Sequence, residues 1–218
     1  MRNSYPAKIL KVKGPQALIQ FKEPLERRVL DRSKGQIEVR IDDGRSLSSE
    51  QRKKVFAIIR DISLWSGHEP EFLRRYLTWD FCSTKGYEWF SLSDVSMTVA
   101  KEFISYLIDF CFYWSVPTRD SLLNETDDIS QYLYSCLEHR KCAICNKRAH
   151  VHHVDRIGMG RDREKIVHLG LNAIALCGKH HTEAHLDEKA FFEKHHVYGI
   201  KLDAYLCECL KLNTKRRR

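Results

Sequence analysis

The chain has 218 residues, 43% hydrophobic and 30% charged, which fits one large domain or two small ones and is too apolar for a disordered chain. No apolar run approaches the ~20 residues that a membrane span needs, and Met1-Arg2-Asn3-Ser4-Tyr5-Pro6 has no apolar core behind it, so neither a span nor a signal peptide is expected. With a formal net charge of +8 the expectation is a soluble, intracellular protein, in which eight cysteines read as thiols or metal ligands rather than disulfides.

Residues 7–41 read as strands. Residues 7–13 are a first candidate, Gly14-Pro15 signals a turn, and residues 17–21 are a second candidate. Residues 36–41 alternate polar and apolar side chains, as a strand with one buried face does, and Asp42-Asp43-Gly44 closes it. A helix starts near Ser48, where Ser48 and Gln51 fit a capping box, and Val55, Ile58, Ile59 and Ile62 give it one apolar face. Gly67 is the expected stop. A second helix is expected over residues 71–81, with Phe72, Tyr76 and Trp79 on one side. Residues 87–90 suggest a short strand. Residues 96–114 predict a long helix on the spacing of Val99, Phe103, Tyr106, Leu107 and Phe110, ended by Pro117. Helical spacing favours core packing for most of these aromatics over stacking on bases. The polar, acidic stretch 118–127 is the expected domain boundary.

The run Asp43-Gly44-Arg45-Ser46-Leu47-Ser48, followed by Glu50-Gln51-Arg52-Lys53-Lys54-Val55, resembles the start of the first helix in the NinB (lambda Orf-type) recombination proteins of bacteriophages. The order of elements over residues 36–116 is also similar. The resemblance implies a recombination protein that binds single-stranded DNA and forms a homodimer through this N-terminal domain, in the cytoplasm of a bacterial host. The charge is divided along the chain. Residues 1–40 carry 10 Lys/Arg against 4 Asp/Glu, residues 41–135 carry 10 against 15, and residues 136–218 carry 17 against 10. Basic ends attract polyanions, nucleic acid first, whereas the acidic middle does not favour a broad DNA-binding face there.

Ten of the eleven histidines lie between His139 and His196, together with Cys142, Cys145 and Cys177. Cys142-Ala143-Ile144-Cys145 is a Cys-x-x-Cys pair, and Cys177-Gly178-Lys179-His180 is a Cys-x-x-His pair beyond it. Each tight turn presents two ligands about 3.5–4 Å apart, and three thiolates with one imidazole close a tetrahedral shell of the structural zinc type. His152 and His153 read as the end of a β-ribbon. A helix is expected from residue 180 through Ala190-Phe191-Phe192, on which His181 and His185 share a face and can hold one ion.

These residues resemble the HNH nuclease family, the ββα-metal fold: Cys142-x2-Cys145, His152-His153, Asn172, then Leu176-Cys177-x2-His180-His181. The likeness covers residues 139–190, and is nearest to HNH nucleases of phage recombination modules, which share Gly158-Met159-Gly160-Arg161 and the run from His180 to His185. His180 stands where a fourth cysteine is usual, and Asp155 where many members have proline. The resemblance implies that His153 is the general base and that His152, His181 and His185 bind a catalytic divalent metal, Mg or Mn. It implies that Asn172 holds the loop carrying His153, and that Cys142, Cys145, Cys177 and His180 hold structural Zn. Arg156, Arg161 and Arg163 are candidates for phosphate contacts and equally for solvated surface. Cys207 and Cys209 are expected to pack a terminal helix with Leu202, Tyr205, Leu206 and Leu210. His195 and His196 read as surface, and residues 215–218 as a basic tail.

The expected architecture is therefore α+β: a NinB-like DNA-binding unit over residues 1–127 and a zinc-stapled HNH endonuclease unit over residues 128–218. The expected function is metal-dependent endonuclease action on single-stranded, duplex or branched DNA in phage recombination or DNA processing. The alternative is a non-catalytic single-strand DNA-binding mediator, which has no use for a base beside metal-binding histidines.

Overall fold

The computed structural model describes residues 7–28, 31, 45–155 and 166–214. The expected strand at 36–41, the candidate arginines Arg156, Arg161 and Arg163, the glycines of residues 158–160 and the tail 215–218 lie outside the described residues.

Strands β1 (Ala7–Lys13) and β2 (Gln16–Phe21) form an antiparallel hairpin, turned at Gly14 with a positive φ of 57°. Helix α1 (Ser49–Ser66) begins at the capping box read from the sequence: the Gln51 amide donates to Ser48 Oγ at 3.0 Å, and the Ser48 amide donates to Gln51 Oε1 at 3.2 Å. It ends on Gly67 at φ 74°. Its stripe Val55, Ile58, Ile59 and Ile62 is fully buried.

Helix α2 (Pro70–Lys85) departs from the expectation in which face it buries. Phe72, Tyr76 and Trp79 do share one side, but that side faces out, with 54%, 48% and 56% exposure. Leu73, Leu77 and Phe81 form a second apolar stripe, and that stripe takes the core. Residues 87–90 are not a strand. They form a loop whose Tyr87 and Phe90 rings pack 5.3 Å and 6.1 Å from Phe81, and no strand among the described residues pairs with them. Helix α3 (Met97–Trp114) is capped by Ser96 and buries Phe103, Ile104, Leu107, Ile108, Cys111 and Phe112. It ends at Ser115, two residues before Pro117.

The stretch 118–128 holds the short helix α4 (Leu122–Glu125), and α5 (Ile129–Glu138) follows, capped by the Asp128 side chain. Helix α5 buries Tyr132, Leu133, Cys136 and Leu137, packing on α3 on one side and on β4 (Asn172–Leu176) on the other. Strand β3 (His150–His153) pairs antiparallel with β4, and β4 pairs with β5 (Ile200–Lys201), giving the order β3-β4-β5. Helix α6 (Gly178–Leu186) leaves β4 directly. It does not run on to Phe192, as the sequence suggested. Asp187 ends α6 in an extended conformation and caps the next helix, α7 (Glu188–His195), by accepting from the Ala190 amide at 3.0 Å. Helix α8 (Ala204–Cys209) buries Leu206 and Cys207, with Leu202 and Leu210 buried beside it, as expected, but Tyr205 faces out at 52% exposure and donates its hydroxyl to Glu138 at 2.6 Å. Among the described residues, helices and two small sheets thus make an α+β fold. No described helix is long and apolar enough to cross a membrane.

Candidate metal centres and active site

Two consecutive histidines on α6 serve two different clusters. In the first, the ligand atoms of Cys142, Cys145, Cys177 and His180 lie within 4.8 Å of one another. The first pair sits on a tight turn in which the Cys142 amide donates to the Lys147 carbonyl at 2.7 Å and the Asn146 amide to the Cys142 carbonyl at 2.9 Å. Asn146 holds the left-handed conformation (φ 55°) that asparagine tolerates better than most residues. Its side-chain amide donates to the Tyr132 hydroxyl at 2.7 Å, so the turn is pinned to α5. The Ala143 amide donates to the Ala175 carbonyl at 2.9 Å, tying the same turn to β4. The second pair begins where Cys177 caps α6, and the first helical turn brings His180 round.

Cys142 Sγ and Cys177 Sγ each lie 3.3 Å from His180 Nδ1, and Cys145 Sγ lies 3.7 Å from Cys177 Sγ. A tetrahedral zinc shell has S···S edges of about 3.8 Å and S···N edges of about 3.6 Å from its bond lengths. The spacing and the donor chemistry fit zinc. Burial pushes the Cys142 thiol up to about 12. Cys177 is also raised by burial, yet ends below the usual thiol value because the His180 amide, the neighbouring Cys145 and Cys142 thiols and the Lys179 amide all favour its thiolate. A divalent cation at the centre favours the thiolate of every member.

The second cluster joins His152 on β3 with His181 and His185, one turn apart on α6. The His152 ring lies 4.8 Å from that of His181 and 4.9 Å from that of His185, and these two are 4.6 Å apart. His152 is 2% exposed, and its Nδ1 is buried without a hydrogen-bond partner. A buried ring nitrogen with no partner is costly unless something accepts its lone pair. Three converging imidazoles with one orphaned nitrogen therefore fit a divalent metal. Burial lowers the pKa of His181, and its histidine neighbours His152, His185 and His150 lower it further, so its neutral, ligating form is favoured.

His153 lies beside the second cluster. Its Nε2 is 2.9 Å from His168 Nδ1, in the loop that leads into β4. Burial, with smaller contributions from His168 and His152, lowers the His153 pKa to about 4. Burial also lowers that of His168. The ring is neutral near pH 7 and able to accept a proton. Asn172 donates to Asp155, two residues beyond His153: its backbone amide at 2.6 Å and its side-chain amide at 3.2 Å to each carboxylate oxygen. These bonds hold the Asp155 carboxyl below the usual range, the backbone bond most of all.

Some residues that shape the site carry no signal in local spacing. His168, and Glu188, which lies 3.0 Å from His152 Nε2, reach the site only through the tertiary fold. Gly199 matters because a Cβ there would meet Val154 Cγ2 at 2.5 Å and Asn172 Cβ at 3.3 Å. His195 is not the surface residue expected. Its ring packs 4.7 Å from Phe191, and its Nε2 lies 3.5 Å from Glu183.

Two antiparallel strands with adjacent histidines at the end of the first, followed by a helix carrying two more, define a ββα-metal arrangement beside a zinc-type staple. A family model described as "Putative HNHc nuclease" matches residues 20–213, and the chain belongs to this family of HNH nucleases. The match extends well beyond the segment that carries the motifs and crosses the boundary expected near residue 127. No curated protein and no solved structure matches the chain.

Proposed function

We propose that the protein is a metal-dependent DNA endonuclease that hydrolyses phosphodiester bonds with His153 as general base. The observation that carries this reading is the neutral, half-buried imidazole of His153 next in sequence to His152, whose ring faces His181 and His185. His152, His181 and His185 would hold the catalytic ion, Mg or Mn. Cys142, Cys145, Cys177 and His180 would hold structural Zn, which keeps β4 and α6 in place. When bound, the catalytic ion supplies positive charge to a scissile phosphate oxygen and to the departing 3′ oxygen.

His153 accepts the proton of a water whose oxygen attacks phosphorus. In this reading Nε2–H donates to His168 Nδ1, which leaves Nδ1 of His153 as the accepting atom. The P–O3′ bond breaks as the P–O bond to water forms, leaving a 5′ phosphate and a 3′ hydroxyl, the latter protonated from solvent. Asn172 holds Asp155 and so fixes the end of the strand that carries the base. Arg156, Arg161 and Arg163 follow Asp155 in sequence and are the proposed phosphate contacts, on the chemistry of the guanidinium group alone.

The proposal extends to a division of labour near residue 127, with the preceding residues forming a NinB-like unit that holds DNA and dimerises, in phage recombination or DNA processing. The motif around Arg45, Ser46 and Leu47, leading into the capped start of α1, supports it. Incubating the purified protein with single-stranded, duplex and branched DNA tests the activity. Cleavage is expected with Mg²⁺ or Mn²⁺ and none with EDTA, and absence of cleavage under every condition contradicts the reading.

A further inference from the structure

The carboxylate of Glu188 touches a ring nitrogen of the most buried histidine in the second cluster. Glu188 is the first residue of α7, placed there by the break at Asp187, and its side chain is partly exposed. Its Oε1 lies 3.0 Å from His152 Nε2. The other ring nitrogen, Nδ1, is buried and has no hydrogen-bond partner. Glu188 does not join the group of ligand atoms gathered within 4.8 Å by His152, His181 and His185. The carboxylate therefore occupies one ring nitrogen and leaves the other, Nδ1, as the one without a partner.

An ionised carboxylate only accepts hydrogen bonds, so Nε2 carries the proton and Nδ1 keeps its lone pair. A histidine ring whose far N–H is held by a carboxylate is fixed in tautomer and orientation, and it is a more basic ligand. We propose that Glu188 is a positioning residue for the metal centre, holding His152 in the Nε2–H tautomer so that Nδ1 is the atom offered to the divalent ion. This rests on the reading of His152, His181 and His185 as metal ligands.

Glu188 has no signature in the sequence because its reach to His152 spans 36 positions. It sits three residues beyond His185, where one uninterrupted helix would have kept it on the face of α6. The break at Asp187 lets the next helix turn its first residue back onto β3.

The test uses the full chain with its structural zinc retained and Mn²⁺ as probe, since a hard cation does not compete for a thiolate site. Mn²⁺ affinity is read from depletion of the free-ion electron paramagnetic resonance signal, and the His152 tautomer from imidazole ¹⁵N shifts without Mn²⁺. In the wild type, Nδ1 is expected as the unprotonated nitrogen. Glu188→Ala should mix the two tautomers and weaken Mn²⁺ binding roughly 10–100-fold. Glu188→Gln, which keeps size and an acceptor oxygen, should fall between the two and guards against a folding defect in the alanine variant. Mn²⁺ affinity within threefold of wild type in both variants overturns the proposal. So does weakened binding with an unchanged tautomer, because a direct ligand would behave that way. His181→Ala separates the two claims: if it leaves Mn²⁺ affinity intact, the metal-site reading fails, whatever Glu188 does.

Discussion

His153 Nε2 and His168 Nδ1 lie 2.9 Å apart, so the two rings share one proton between them. If His153 donates, its Nδ1 is left free to accept a proton from water. His168 is buried, and its backbone amide donates to the Asn213 carbonyl at 2.8 Å, which fixes it as a rigid support. His168→Ala removes that support. Cleavage should fall roughly 10–100-fold, the scale of loss when a catalytic group is misplaced by about an ångström. Mn²⁺ affinity should not change, because His168 lies outside the metal-binding group. Turnover measured beside Mn²⁺ binding checks this, and an equal loss in both would contradict it.

The His153 pKa of about 4 also predicts a pH effect on stability. Its ordinary value is about 6.5. Below that value the unfolded chain takes up a proton that the folded chain refuses, so stability falls as pH drops from about 6.5 towards 4. His153→Gln has no such proton to take up. The difference in Tm between pH 7 and pH 5 should be smaller in His153→Gln than in wild type. Parallel Tm curves for the two proteins would contradict the assigned burial.

Cys142→Ser tests the zinc staple. Structural zinc in small modules contributes binding free energy on the order of 10 kcal/mol, all of it available to folding. Residues 142–145 connect α5 to β4, so their loss should release β3, β4 and α6 together. Zinc content and circular dichroism should both fall. A soluble variant with no zinc and an intact C-terminal segment would contradict the staple.

Gly199→Ala should act at a distance from any ligand. The new Cβ would lie 2.5 Å from Val154 Cγ2, and Val154 is bonded to His153 and paired with Asn172 through its amide at 2.9 Å. Overpacking of this kind costs about 1–3 kcal/mol. Thermal unfolding should show the loss, and cleavage should fall with zinc content unchanged.

The legible parts of the site were those written in local spacing. The pairs Cys142/Cys145 and Cys177/His180, and the i, i+4 pair His181/His185, depend on turns and helices that bring near neighbours together, and the structure gathers them into two clusters. His168 and Glu188 were not legible, because they meet His153 and His152 across 15 and 36 positions with no periodicity to announce them. Helix α5 does carry a local signal, Ile129, Tyr132, Leu133 and Cys136 at helical spacing behind the cap Asp128, inside a stretch whose polar, acidic start reads as a boundary. The outward face of α2 could not be chosen by periodicity, since both Leu73/Leu77/Phe81 and Phe72/Tyr76/Trp79 are apolar stripes and only packing against the neighbouring helices decides between them.

Nicking of plasmid and breakage of single strands by His153→Ala, with His181→Ala alongside, is the most direct test of the catalytic claim. His153 neither belongs to a metal-binding group nor carries charge near neutral pH, so its loss should leave DNA binding, zinc content and Mn²⁺ affinity intact. Removing a general base lowers the rate by about 10²–10⁴-fold, and added Mn²⁺ should not restore it, because a metal ion cannot replace a proton acceptor. His181→Ala should also lose activity, through weakened metal binding, with partial recovery at high Mn²⁺. Full activity in His153→Ala would contradict the account.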